Sequence, residues 1–369
     1  MKLLTIGAFA RASRLSPKAL RLYDELDLLR PAEVDPVSGY RYYHPDQLDR
    51  ARLVAWLRRI GLPLARIRQV CALAPAQAAE ELDAYWARVL ADTAARQELV
   101  THLVDHLNGG KTTVTTTDST ALTLRCAARS DAGLVRSHNE DAAYAGTGLL
   151  AVADGFGGPD GARAAGAAIT ALRRFEAAQA GPADLLNALE DAVREALAEL
   201  PAPAPGGQPA GSTLTAMLHT GSRLALVHIG DSRAYLLRGG ELFQITHDHT
   251  MVQQMVDEGR LTLAEAASHP QRALLLRALN GPGDPRPARL DLSLHTARAG
   301  DRYLLCSDGL SAVLATEHLH TALSSIADPE QAVQQLITLA NRAGGPDNIA
   351  CAVADVVASE ATATATATS

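Results

Sequence analysis

Leu149–Gly158 reads LLAVADGFGG. Five apolar or small residues run into Asp154, and the chain then turns on Gly155. A continuous apolar run of this length predicts a strand buried on both faces. A tight Asp-Gly turn would account for one such ending. The ending recurs, however. RYLLCSDG closes on Asp308-Gly309, LALVHIGDS reaches Asp231, and Asp347 in GGPDN precedes the apolar run IACAVADV. Four carboxylates at the ends of apolar strands need a shared reason.

Working outward, composition sets the limits. A chain of 369 residues suggests two or three domains. Apolar content is 47% and charged content 20%, so ordinary globular cores can form. Aromatics are only 4%, which leaves Ala, Leu and Val to do most of the packing. No apolar stretch reaches ~18 residues, so no membrane span is expected. MKLLTIGAFARAS has too short an apolar core, and too early an arginine at Arg11, for a secretory signal. The four cysteines, Cys71, Cys126, Cys306 and Cys351, are not spaced as a metal-binding CxxC. They read as small core residues of a cytoplasmic protein. Net charge is -7, unevenly spread: residues 1–75 hold 13 basic and 7 acidic side chains. A basic head on an acidic body suggests a polyanion-binding module joined to something else.

Residues 3–75 alternate helix-like segments with turns. Residues 78–107 carry Leu82, Tyr85, Trp86, Val89, Leu90, Leu99, Val100, Leu103, Val104 and Leu107 at three- and four-residue spacing, which predicts one long helix. Thr-rich 109–121 reads as a linker, PAPAPGGQPAG at 201–211 as a loop, EDAVREALAEL at 190–200 as a covering helix and SEATATATATS as a disordered tail. His219, His228 and His249 read as ordinary packing or solvated side chains.

In the head, Ser16 reads as an N-cap with Pro17 at the first helical position. Ile6, Phe9, Ala10, Leu15, Leu20, Leu22 and Leu26 can form one small core, while Lys18, Arg21 and Tyr23 project. Two short helices with a tight turn suit either a helix-turn-helix or a generic helical hairpin. The fuller pattern decides between them. TIGAFA, SPKALRLYDELDLLRP, DPVSGYRYY and GLPLARIRQV closely resemble the MerR family of bacterial transcription regulators. The resemblance implies an all-α winged helix-turn-helix, with DPVSGYRYY as the wing. Ser16, Lys18, Arg21 and Tyr23 would face DNA from the recognition helix, and Tyr40, Arg41 and Tyr42 would contact phosphates. Arg and Lys neutralise phosphates while Tyr hydroxyls position the backbone. The long helix would pair antiparallel with that of a second copy to make a homodimer on promoter DNA.

In the acidic body, clustered carboxylates repel one another unless a cation lies between them, and hard ions such as Mg2+ and Mn2+ take oxygen ligands. Two such ions can acidify a bridging water and aim it at phosphorus. SDAGLVRSHNEDA, AVADGFGG, GSTLTA, VHIGDSRAYLLRGGEL, ITHDHT, SHPQRALLLRALNG, GDRYLLCSDGL and GGPDNIACAV, in that order, closely resemble the metal-dependent Ser/Thr protein phosphatases of type 2C. The implied fold is α+β, a four-layer αββα sandwich. By resemblance, Asp154 bridges two metals, Asp308 and Asp347 complete one of them, and the Gly155 carbonyl helps hold the other. A third, weaker ion would sit between Asp231 and Asp308. Glu140 and Asp141 would hold metal-bound waters, and Arg136 would grip the substrate phosphate with its planar fork. Residues 252–272 match the family's flap. One departure stands out: the family often reads DGMGGH, with that His proposed as general acid, and here Pro159 occupies its place. Proline cannot donate a proton, and a lost general acid typically costs ~100- to 10,000-fold in its step. His138 and Asp160 are the candidates to replace it.

The resulting expectation is a multidomain chain: a MerR-like winged helix-turn-helix over 1–75, a dimerisation helix over 76–108, a linker over 109–121, a phosphatase domain over 122–357 and a tail over 358–369. Its activity would be hydrolysis of phosphoserine or phosphothreonine in a phosphoprotein by a hydroxide bridging two Mn2+ or Mg2+ ions, with Arg136, Asp154 and Asp308 central. The alternative is a regulator whose phosphatase-like domain only senses phosphoprotein or metal. Pro159 favours the alternative; the intact aspartates favour catalysis.

Overall fold

The computed structural model describes residues 3–107, 122–177, 191, 193, 195, 210–220, 223–258, 260–280 and 289–359. The expected linker at 109–121, most of the 190–200 helix, the 201–209 loop and the tail beyond 359 lie outside the described residues. The chain forms two compact units: Met1–Leu90 with Met251–Leu274, and Ala91–Thr250 with Leu275–Ser369.

The first unit is built by its caps. Thr5 accepts from the Ala8 amide at 3.3 Å and starts helix Ile6–Ser13, which Arg14 ends in the left-handed region at φ 60°. Ser16 accepts from the Ala19 amide at 3.0 Å, Pro17 follows, and helix Pro17–Glu25 begins. A hairpin joins Glu33–Val34 to Arg41–Tyr43; Asp35 Oδ1 accepts from the amides of Val37 and Ser38 at its turn. Arg41–Tyr43 also pairs with Leu4–Thr5, giving a three-stranded sheet. The head is therefore not all-α as expected. Helices Leu48–Arg59 and Leu64–Val70 complete its core, in which the rings of Phe9 and Tyr43 stack at 4.5 Å. The long helix runs from Pro75 to Leu107. Met251–Leu274 adds helices Met251–Asp257 and Leu263–Ala267, the second opened by a Thr262/Glu265 capping box. Gln69 Nε2 donates to the Leu261 carbonyl at 3.0 Å.

The second unit holds two antiparallel sheets. One, of five strands, runs in the order Glu241–Gln244, Arg233–Arg238, Arg302–Cys306, Ile349–Ala358, Leu122–Asp131. The other, of seven, centres on Leu149–Phe156, which pairs with Asp141–Ala145, Leu214–Thr220 and Gly211–Ser212. Leu150, Val152, Met217 and Leu226 of one sheet meet Leu236, Tyr303, Leu305 and Ala352 of the other. Helix Pro159–Ala177 packs its Ala165, Ala168 and Leu172 on the outer face of the larger sheet. Helices Thr316–Ser325 and Pro329–Arg342 cover the outer face of the smaller. Both faces of each sheet are thus covered, and Leu149–Ala153 is fully buried as its apolar run predicts.

Candidate active site

The strand ends deliver the carboxylates. Strand Leu149–Phe156 carries Asp154 in its last turn of the ladder, where it lies directly opposite Asp141 of the neighbouring strand. Like charges in that position repel. Arg223–Ile229 stops just before Gly230-Asp231, Arg302–Cys306 just before Ser307-Asp308, and Asp347 lies two residues ahead of Ile349–Ala358. The structure brings these residues together: the charges of Asp141, Asp231 and Asp308 all act on Asp154, and that of Asp347 acts on both Asp141 and Asp308.

Electrostatics follow from that crowding. Burial, and then the charges of Asp141, Asp308 and Asp231, hold the Asp154 carboxyl well above the usual carboxylate range. Burial and the charges of Asp308 and Asp248 push Asp231 up to about 8. Asp141 rises to about 7, through burial first and then the charges of Asp308 and Asp347, against hydrogen bonds from its neighbours that lower it. Its Oδ2 is buried without a hydrogen-bond partner. Asp308 is raised by burial and by Asp347. Among the described residues no three His, Cys, Asp or Glu side chains close on a single point at ligating spacing. An all-oxygen set of mutually repelling carboxylates, one of them with an orphaned oxygen, nevertheless fits hard divalent ions. Such ions are bound through one or two carboxylates and keep several waters.

Backbone contacts fix the acids. Thr213 Oγ1 accepts from the Asp154 amide at 3.0 Å, the Thr213 amide donates to the Asp154 carbonyl at 2.8 Å, and Ser212 Oγ donates to the same carbonyl. A Cβ on Gly155 would stand 2.4 Å from the Gly161 carbonyl oxygen and 2.6 Å from that of Glu140, so only glycine fits. The Glu140 carboxylate accepts from the Gly158 amide at 2.8 Å. Asn348, nearly buried, ties the centre together: its Oδ1 accepts from the Glu140 amide, and its Nδ2 donates to the carbonyls of Ala132 and His138. Sequence reasoning singled out none of Ser212, Thr213, Ser307 and Asn348. They lie inside the quoted motifs, but a polar residue in a turn looks the same whether it is solvated or structural.

Arg136 donates from Nη2 to Asp347 Oδ2 at 2.7 Å, and its side chain is half exposed. Pro159 opens helix Pro159–Ala177, a position that suits its missing amide hydrogen. Asp160 in the same turn pairs with Arg163 at 3.1 Å, and His138 Nδ1 shares a 2.8 Å hydrogen bond with Ser137.

In the head, Ser16, Lys18 and Arg21 are exposed on the second helix, and Tyr40 is 48% exposed on the hairpin with its ring 5.7 Å from that of Tyr42. Tyr23 corrects the expectation. It is fully buried, and its hydroxyl accepts from Arg58 at 2.7 Å. Leu22 and Leu26, expected in the core, are exposed instead. On a 3.6-residue helix Tyr23 shares a face with Leu20, Leu22 lies about 100° round from it, and Leu26 falls at the C-cap beyond the last helical residue. Arg41 is tied to Asp24, Nε to Oδ2 at 2.6 Å.

The profile for protein phosphatase 2C matches residues 127–352, the stretch that carries every one of these acids. The chain belongs to the protein phosphatase 2C family. Residues 4–73 match the profile of the MerR HTH family regulatory proteins. Relatives of the phosphatase 2C part include the serine/threonine protein phosphatase PstP of Mycobacterium tuberculosis, 52% identical over 240 residues. That alignment covers 64% of this chain and 46% of PstP, so the chain spans less than half the length of that relative. The crystal structure of the M. tuberculosis PstP/Ppp phosphatase superposes with a TM-score of 0.59 at 50% identity, covering 64% of this chain and 99% of the other. The PstP catalytic domain in complex with two manganese ions superposes with a TM-score of 0.58 at 49% identity, with the same coverage. Among the described residues no helix is long and apolar enough to cross a membrane.

Proposed function

We propose that this chain is a cytoplasmic DNA-binding transcription regulator carrying a metal-dependent Ser/Thr protein phosphatase domain. One observation carries the reading: Asp141, Asp154, Asp231 and Asp308 are gathered at strand ends with no arginine or lysine paired to any of them by a salt bridge among the described residues. Asp154, Asp308, Asp347, Asp231 and the Gly155 carbonyl would hold two Mn2+ or Mg2+ ions and a weaker third. Divalent ions bound there supply an acidified water and screen charge on the phosphoryl group. The chain's own residues do the rest. Arg136 leaves Asp347 to grip two phosphate oxygens, which its fork geometry favours. Glu140 and Asp141 accept hydrogen bonds from water at the centre. Thr213, Ser212 and Asn348 keep the carboxylates in place without moving protons. Pro159 supplies no proton to the departing oxygen, so alkyl phosphates suffer more than aryl phosphates.

The domain limits proposed are 1–75, 76–108, 109–121, 122–357 and 358–369. In the head, a winged helix-turn-helix would present Ser16, Lys18, Arg21, Tyr40 and Tyr42 to promoter DNA, with Arg41 set by Asp24. The long helix would join two copies in a homodimer. Pro159 favours a second reading, in which the phosphatase domain only senses phosphoprotein or metal. The test is release of phosphate from a phosphothreonine peptide and an aryl phosphate, with and without Mn2+, beside Asp308→Asn. Mn2+-dependent release from either substrate, abolished in the variant, is expected. No release from either, with Mn2+ bound, would leave the sensor reading.

A further inference from the structure

Residues 132–140 join strand Leu122–Asp131 to strand Asp141–Ala145 and carry Arg136. This loop is pinned along its length. The Gly133 amide donates to Asp131 Oδ1 at 3.0 Å and the Leu134 amide to the Gly345 carbonyl at 2.8 Å, while Asn348 Nδ2 holds the carbonyls of Ala132 and His138. Gly133 sits at φ 71° with its α-carbon against the Asp347 carbonyl, a position no other residue could take. Yet this pinned loop presents apolar side chains to water. Leu134 is 68% exposed and Val135 70%, the most exposed large apolar residues among the described part of the sandwich. Leu134 lies over Gly345, and Arg136 follows immediately.

We propose that Leu134 and Val135 form an apolar shelf that selects phosphorylated segments carrying a bulky apolar residue two positions from the phosphoserine or phosphothreonine. The inference rests on the reading of Arg136 as the phosphate grip. Three points support it. Arg136 is a half-exposed cation whose Nη2 donates to Asp347 Oδ2 at 2.7 Å, so a phosphate dianion is a ligand its planar fork complements. An extended peptide advances about 3.3 Å per residue and alternates its side chains, so a side chain two residues from the phosphorylated one shares its face and reaches about 7 Å along it, over the shelf. The loop is already ordered, so little conformational freedom is lost when a segment covers it.

The experiment uses the full chain with Mn2+ and two phosphothreonine peptides that differ only in the residues two positions to either side of the phosphothreonine, leucine in one and serine in the other. The leucine peptide should have a kcat/KM about tenfold higher, the discrimination expected of a small apolar contact. In the double variant Leu134→Ser/Val135→Ser the ratio should fall towards one, and Leu134→Met should keep it. A wild-type ratio near one, or a ratio unchanged in the double variant, overturns the proposal. So does a change in sedimentation of the variant with the ratio intact, which would assign the shelf to a second copy of the chain. If neither peptide is hydrolysed, the same pair is compared by fluorescence anisotropy. A tenfold affinity difference lost in the variant then upholds the shelf while the catalytic reading fails, and equal affinities overturn the shelf.

Discussion

Two sets of aspartates share the phosphatase sandwich and live by opposite rules. Asp248, Asp301 and Asp355 are each held by an arginine: Arg233 bridges both oxygens of Asp248, Arg238 both oxygens of Asp301, and Arg302 both oxygens of Asp355. Asp141, Asp154, Asp231 and Asp308 face one another without such a partner among the described residues, and backbone contacts such as those of Asp154 with Thr213 and Ser212 keep them in place. Burial raises a carboxyl in both settings. At Asp355 the hydrogen bonds from Arg302 and Arg125 outweigh burial and bring it below its ordinary value; at Asp154 every neighbouring acid adds to burial. The first set is complete as it stands. The second gains from positive charge brought from outside, and that difference separates structural acids from candidate catalytic ones.

The comparison can be broken most sharply at Asp154. Asp154→Asn should lower Mn2+-dependent phosphate release by about 1,000-fold or more, since metal charge stabilisation is worth several kcal/mol. The same variant, free of metal, should melt no lower than the parent, because it removes a repulsion; a marked fall in melting temperature would place Asp154 with the structural set. Asp355→Asn should do the reverse, leaving Mn2+ binding intact while destabilising by about 3 kcal/mol, the cost of stranding a buried charge. Arg302 then keeps the carbonyls of Leu323, Ile326 and Ala327 and one amide oxygen, but no countercharge from position 355. Differential scanning calorimetry would read this as a fall of roughly 6–12 °C for a unit of this size.

Acid should separate a further pair. His228 is buried, and burial followed by the charge of His249 lowers it to about 4. Unfolded, it titrates at about 6.5, so between those values the unfolded chain binds more protons and stability falls as pH falls. The loss should approach about 3 kcal/mol by pH 4, and His228→Gln should flatten the melting curve against pH in that window. Asp355 contributes only below it: its share is full above about pH 4 and is lost as pH falls through its lowered value. The smallest effect belongs to Asp291→Asn. Asp291 meets His249 at 3.0 Å and Arg277 at 2.7 Å but is half exposed, so stability should change by about 1 kcal/mol or less. A larger change in chemical denaturation would move Asp291 into the buried set.

The strand-end aspartates are legible in sequence because each stands where an apolar run meets a glycine or a turn, a junction that ordinary packing does not require. The sandwich is legible for the same reason, since runs such as Leu149–Ala153 demand cover on both faces. Tyr23 is not, because Leu20, Leu22 and Leu26 place apolar residues on both sides of a short helix, and the core face is decided by Arg58, which meets the buried hydroxyl from another helix. Asn348 and Thr213 are not, because their role is to satisfy backbone groups of residues far away in sequence. The ion pair of Arg136 with Asp347 spans 211 positions and has no local signature.

Connectivity carries a last consequence. The chain passes from one compact unit to the other at 90/91, 250/251 and 274/275. A fusion that crosses once can be cut into two working pieces with a single break; this one cannot. Deleting Met1–Leu90 takes away Gln69, the donor to the Leu261 carbonyl, and deleting the insert opens the ladder where Thr250 pairs with Leu275. A single boundary drawn anywhere along the sequence therefore leaves part of one unit on the far side of it.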